Sequence, residues 1–371
     1  MRIVIAPDKY KGTASARVVA EAMGRGAARA RPGAEVALFP MADGGEGTLE
    51  ALLSALGGRI VRHRVTGPLG APARGLTARL SDDRVVLEMA SSSGLALVAG
   101  HERDPLRASS YGTGELILAA LRTRPAQVLV GLGGSASTDG GSGAARAVGW
   151  RFLDARGNDL PPGGGALKSL RRIDPAGVVE EMKGARIQGL TDVGCPLLGP
   201  RGAAAAFGPQ KGASEADVEV LEEGLANLAS RIRADLGEDV AGAVGAGAAG
   251  GMGAGLIAFF GASLEGGFET VAEAANLRSA LGTADLVITG EGHLDHQSLG
   301  GKVPIGVARL ARDAHVECLA VCGRVSVPAP ELATHGIKRA LGLEDELGSE
   351  RAHAHAADSI AEVTARLLAR Q

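Results

Sequence analysis

Residues 2–48, RIVIAPDKYKGTASARVVAEAMGRGAARARPGAEVALFPMADGGEGT, carry the pattern that decides the fold. RIVIAP reads as a strand, and a helix follows from an N-cap at about Ser15 to a stop at Pro32-Gly33. VALFP reads as a short buried strand, and GTLEALLSALGG as a second helix closed by paired glycines. A βαβα opening of this kind predicts a parallel sheet with ligands at the carboxyl ends of its strands. Asp8 and Lys11 follow the first strand, and Asp43 and Glu46 follow the second, so two neighbouring strand ends bring charge to one edge. In MADGGEGT the glycines let backbone approach a ligand, and an acid held there either binds a cation or accepts a proton.

Beyond residue 58 the pattern changes. RIVRHRVTG, ARGLTARL and RVVLEMA are short runs joined by turn-like PLGAP and SDD, which predicts an antiparallel meander. A helix at GTGELILAALRT and strands at QVLVGLGG and ARIQGLTDV come next. Regular βα order returns at ADLVITGEG, ECLAVCGRV and IKRALGL, and the chain closes on the helix SIAEVTARLLAR. The expected architecture is α/β: a flavodoxin- or Rossmann-like parallel-sheet domain made from both chain ends, 1–58 and 278–371. A mixed-sheet α/β domain, 59–277, is inserted in it.

Composition narrows the function. The 371 residues are 45% hydrophobic and 22% charged, as in a globular protein, and are more than one core usually serves. A formal charge of −3 and 2% aromatics offer neither a basic field nor stacking platforms for nucleic acid. Three cysteines without CxxC spacing and a start too short for a signal segment point to a cytoplasmic protein with reduced thiols. Residues 240–264 are uncharged over a membrane-spanning length, but their glycines and alanines supply little transfer energy and make a poor isolated helix. The expectation is a glycine loop leading into a buried helix at LIAFF, with no membrane partner.

Three segments carry chemistry. VLVGLGGSASTDGGSG holds the loose dinucleotide pattern Gly131-x-Gly133-x-x-Ala136, with Asp154 about 20 residues on. Asp139 argues against a bare pyrophosphate in that loop. Gly131, Gly133, Gly134, Ser135, Asp139 and Gly140 fit a phosphate-and-magnesium loop instead, with backbone N–H groups and the Ser135, Ser137 and Thr138 hydroxyls on phosphate oxygens. A tight turn capped by Asp139 is the other reading. In VITGEGHLDHQSLGGKVP, Glu291 and Asp295 follow a strand, and Gln297, Ser298 and Lys302 enter a helix. Acids able to hold magnesium beside a lysine able to neutralise phosphate charge are what phosphoryl transfer needs. His293 and His296 suggest a metal site less strongly, and His353 and His355 read as solvated. No Walker A motif or protein-kinase signature is present. Asp192 ends the run ARIQGLTDV before GCPLLGP; it is either the base that takes the proton of an attacking hydroxyl or a turn cap.

The chain resembles the bacterial two-domain (type I) glycerate kinases along nearly its whole length. The likeness runs through IVIAPDKYKGTASA, FPMADGGEGT, SSYGTGELI, GLGGSASTDGG, LLGPRGAAAAFGPQKGA, GAGAAGGMGAGL and ITGEGHLDHQSLGGKVPIGVA. The resemblance implies ATP- and Mg²⁺-dependent phosphorylation of D-glycerate, usually to 2-phosphoglycerate, in a cleft between a flavodoxin-like domain and an inserted one. Asp192, Lys302 and Asp43 are then the catalytic candidates. Asp8, Lys11, Glu46, Gln297 and Ser298 are the substrate-binding ones, and Glu291, Asp295 and Asp139 the metal-binding ones. All keep the family's residue types. Departures stand at Lys9-Tyr10 (usually Ser-Phe), Thr138 and Cys195 (usually Asn) and His293 (usually Arg), each changing hydrogen-bonding capacity. Two other classes stay open: a weakly catalytic binding or regulatory descendant of a kinase, and an NAD-dependent oxidoreductase using Gly131, Gly133, Ala136 and Asp154. A homo-oligomer is also left open.

Overall fold

The computed structural model describes residues 1–369. The chain divides into two units. Met1–Asp43, Glu50–Leu56 and the chain from Gly267 onward make the first; Gly44–Leu49 and Gly57–Gly266 make the second.

In the first unit five parallel strands stand in the spatial order Ile337–Gly342, Glu317–Cys322, Leu286–Thr289, Arg2–Ile5, Glu35–Leu38. Numbered along the chain this is 2-1-3-4-5, the flavodoxin order, with its switch point between Arg2–Ile5 and Leu286–Thr289. Ile3, Ile5, Ile288, Leu319 and Val321 form one buried face. They pack with Val19 and Met23 of the helix Ala16–Ala30 and with Ile360, Val363 and Leu367 of the helix Ala356–Ala369.

Two details depart from expectation. The strand at VALFP is not buried: Glu35–Leu38 is the sheet edge, partnered on one side only, and Leu38 is 42% exposed. Ser15 does occupy the N-cap position, but its hydroxyl makes no cap hydrogen bond and donates to Glu50 Oε1 instead.

The second unit holds a six-stranded sheet in the order Ser263–Glu265, Ile187–Leu190, Gln127–Gly131, Arg84–Glu88, Pro72–Leu80, Gly58–Thr66. The last three pair antiparallel, as the meander pattern predicts, and the remaining pairs are parallel. Leu87, Val128, Val130 and Ile187 pack with the helices Tyr111–Leu121, Glu215–Leu236 and Ala248–Phe260 in one core. The Glu215–Leu236 helix starts on a capping box between Ser214 and Asp217. GAGAAGGMGAG turns through left-handed Ala249, Gly250 and Gly251 before the regular helix runs to Phe260. No helix of the described residues is long and apolar enough to cross a membrane.

Candidate active site

In the first unit the switch point is an acidic cluster. Past the end of Arg2–Ile5 the chain stays registered with its neighbours: Asp8 N–H donates to the Gly290 carbonyl and Met41 N–H to the Pro7 carbonyl. Three strand ends therefore deliver Asp8, Glu291 and, two residues after Met41, Asp43. Burial pushes Asp8 up to about 7. Lys9, whose Nζ lies 3.8 Å from Asp8 Oδ1, draws it back, and Asp43 and Glu291 push it further. Burial likewise pushes Glu291 up to about 7, against the Ser298 hydroxyl and Lys302, with Asp43 and Asp295 adding to the rise. Glu291 Oε1 is buried without a hydrogen-bond partner.

Desolvated acids that raise one another make a place where a cation gains energy.

The segment after Leu286–Thr289 folds on itself. Asp295 Oδ1 accepts from Gln297 N–H (2.9 Å) and Ser298 N–H (3.1 Å), opening the turn Ser298–Gly300. Burial raises this carboxyl, but those bonds and Lys302 outweigh it and leave it below its usual value. Ser298 is spent on this turn, its hydroxyl lying within 3.3 Å of both the His293 carbonyl and Asp295 Oδ1. Lys302 is the N-cap of the helix Val303–Asp313, half-buried, and Lys11 and Gln297 are exposed. His293 Nε2 lies 2.7 Å from Ser326 Oγ, and His296 pairs with Glu331.

In the second unit the neighbouring parallel strands Arg84–Glu88, Gln127–Gly131 and Ile187–Leu190 end together, with Glu88 opposite Gly131 and Gly131 opposite Leu190. The GGEG turn fits against those ends. A Cβ on Gly133 would come 2.4 Å from Gly45 Cα, and one on Gly44 would come 2.6 Å from the Leu190 carbonyl oxygen. Glycine is needed here for backbone-on-backbone packing. Glu88, which sequence reasoning passed over, accepts from Gly47 N–H (2.9 Å) and Leu49 N–H (2.8 Å) and so anchors the turn. Glu46 is exposed on it. Asp192 lies two residues past Leu190, half-buried. The Val193 N–H beside it donates to Thr191 Oγ1.

The 131–141 loop turns through left-handed Gly134, Gly140 and Gly141. Asp139 is buried within it, and the proposed metal role does not suit its surroundings. Its Oδ2 accepts from Ser110 N–H (2.8 Å), the Ser110 hydroxyl (2.9 Å) and Gly143 N–H (3.2 Å), and its Oδ1 from Gly141 N–H (3.2 Å). The carboxylate is committed to holding its own loop. A second buried charge escaped the sequence reading altogether. Lys211, 2% exposed, donates from Nζ to Ser135 Oγ (2.9 Å) and to the Ser137 carbonyl (2.5 Å). No periodicity marks one lysine in FGPQKGA as buried. Ser137 Oγ and Thr138 Oγ1 are buried without partners. Asp154 sits in an exposed turn, accepting from Arg156 and Asn158 N–H, as a turn-former does.

The model of the glycerate kinase family matches residues 3–371. The chain belongs to the glycerate kinase family. It is 43% identical over 371 residues to a protein of Bacillus subtilis (strain 168) named glycerate kinase, covering 100% of this chain and 97% of that one. It is 43% identical over 350 residues to the glycerate 2-kinase of Escherichia coli (strain K12), covering 94% and 92%. A solved structure from Salmonella typhimurium LT2, provisionally named glycerate kinase 2, matches with a TM-score of 0.84 and 42% identity over 100% of this chain and 98% of that one. Members of this family are phosphotransferases, which removes the dehydrogenase reading of the Gly131–Ala136 pattern.

Proposed function

We propose that this glycerate kinase family member transfers the γ-phosphoryl group of ATP to D-glycerate, giving 2-phosphoglycerate and ADP. The observation that carries the reading is the cluster of Asp8, Asp43 and Glu291 at the switch point, with Lys302 opposing its charge. The relatives named glycerate kinase, one of them a glycerate 2-kinase, supply the substrate and the favoured product.

The roles follow from residue chemistry. Gly131, Gly133, Gly134, Ser135 and Gly140 offer backbone N–H groups and a hydroxyl to the phosphates of ATP. Asp192 accepts the proton as the glycerate hydroxyl oxygen bonds to the γ-phosphorus and the bond to the β,γ-bridging oxygen breaks. Asp43 is the next candidate for that base. Lys302 offsets charge on the transferring group. Lys11 supplies a cation for the glycerate carboxylate, with Asp8, Glu46 and Gln297 as hydrogen-bonding partners and Ser298 fixing Asp295.

Magnesium fits the residues present. Among the described residues no three His, Cys, Asp or Glu side chains are grouped to hold a metal by themselves. Mg²⁺ is commonly held by one or two carboxylates, with waters and substrate phosphates completing its shell. Glu291, with its unpartnered oxygen, and Asp295 are the residues that would hold it. Bound there, it supplies positive charge that stabilises the transferring phosphate. The three cysteines are unpaired, in keeping with a cytoplasmic location.

A coupled ADP-release assay over small hydroxy acids, with the product position read by phosphorus NMR, tests the reading. D-glycerate is expected to turn over; its failure while another hydroxy acid reacts overturns the substrate. Asp192→Asn is expected to keep ATP affinity and lose about 10²-fold in kcat. Retained turnover in that variant moves the base to Asp43.

A further inference from the structure

We infer that Lys211 is a positioning residue for the nucleotide loop: its enclosed ammonium ties the Ser135 hydroxyl to the Ser137 carbonyl, so the 131–141 backbone is shaped before ATP arrives. The inference rests on the assignment of ATP phosphates to that loop.

A loop turning through Gly134, Gly140 and Gly141 loses much backbone entropy when it becomes ordered, and a ligand that must order it binds more weakly by that amount. Here two buried charges order it beforehand. Asp139 holds the far half, through Gly141 and Gly143 N–H, and ties it to Ser110. Nothing in that set reaches Ser135 or Ser137. Lys211 does, through its bonds of 2.9 and 2.5 Å.

The lysine comes from the short turn Pro209–Lys211, outside the loop, so the ammonium fastens the loop to a separate segment. The third wall is Gly250, where a Cβ would come 2.1 Å from the Ser137 carbonyl oxygen and 2.9 Å from Lys211 Nζ. Gly250 closes over the ammonium with no side chain of its own.

The ammonium is an expensive brace. Burial pulls Lys211 down to about 7, with Asp139 and the Cys195 thiol acting in the other direction. Removing the ammonium leaves the buried Ser135 hydroxyl and Ser137 carbonyl without their donor, which costs stability as well as order. The two KM values should therefore separate in folded Lys211→Met, which removes both bonds at similar volume. Its KM for ATP is expected to rise about 10-fold or more, with KM for D-glycerate within about two-fold of the parent, in a protein whose melting temperature is lowered. Lys211→Gln, which keeps an amide donor, is expected to recover part of the ATP affinity. It also serves if the methionine variant does not fold.

An unchanged KM for ATP in a folded variant overturns the inference, as does an equal rise in both KM values. Hydrogen exchange of residues 131–141 in the parent protein, with and without a non-hydrolysable ATP analogue, separates the two levels. If the analogue leaves the loop unprotected, the nucleotide assignment fails and the inference falls with it. If the loop is protected but the Lys211 variants bind ATP normally, only the inference fails.

Discussion

Both units bury an acid in the segment that follows a central parallel strand, but Glu291 and Asp139 are placed to opposite effect. Asp139 receives hydrogen bonds from Ser110, Gly141 and Gly143 and has its charge spread over backbone donors. Glu291 keeps Oε1 unpartnered, stands near Asp43 and Asp295, and is pushed up to about 7 by burial. A satisfied buried carboxylate contributes to stability, and an unsatisfied one is held at a cost that a cationic ligand can offset. The same residue class, in the loops that follow two parallel strands, thus divides between building a loop and binding.

The largest effect belongs to Asp139→Asn. An amide cannot accept all the donors now aimed at the carboxylate, so unfolding free energy is expected to fall by about 3 kcal/mol. Denaturant titration checks this, and a loss under about 1 kcal/mol would erase the distinction. Lys302→Met should show the reverse pattern: turnover lower by about 10²-fold or more, with the unfolding midpoint nearly unchanged. Wild-type kcat in that variant would take Lys302 out of the site.

Glu291→Gln sharpens the comparison on its other side. The Mg²⁺ concentration for half-maximal activity is expected to rise several-fold, with stability within about 1 kcal/mol of the parent because no hydrogen bond to Oε1 is lost. An unchanged metal titration removes Glu291 from the metal set. The smallest effect belongs to Asp154→Ala. Its carboxylate serves an exposed turn, so KM for ATP and kcat should both stay within about two-fold of the parent. A large change in nucleotide affinity there would reopen a dinucleotide-type role for the Gly131–Ala136 pattern.

Sequence alone carried the element order a long way, because its cues are local. Alternation, glycine stops and the meander at residues 59–90 follow from backbone preferences read over ten residues at a time, and the ordered motifs led to the family. It also put Asp8, Asp43 and Glu291 on strand ends, since an acid directly after an apolar run needs no partner to be recognised. Tertiary structure decided what local pattern cannot encode. The strand order made Glu35–Leu38 an edge and set Glu291 beside Asp8 across nearly 300 residues of chain. Backbone packing explained Gly44 and Gly133, which the sequence offered equally well as ligand contacts. Burial and hydrogen-bond partners gave Asp139 to its own loop and brought Lys211 beneath Ser135, because a side chain's charge is fixed by residue type while its solvation is fixed by everything folded around it.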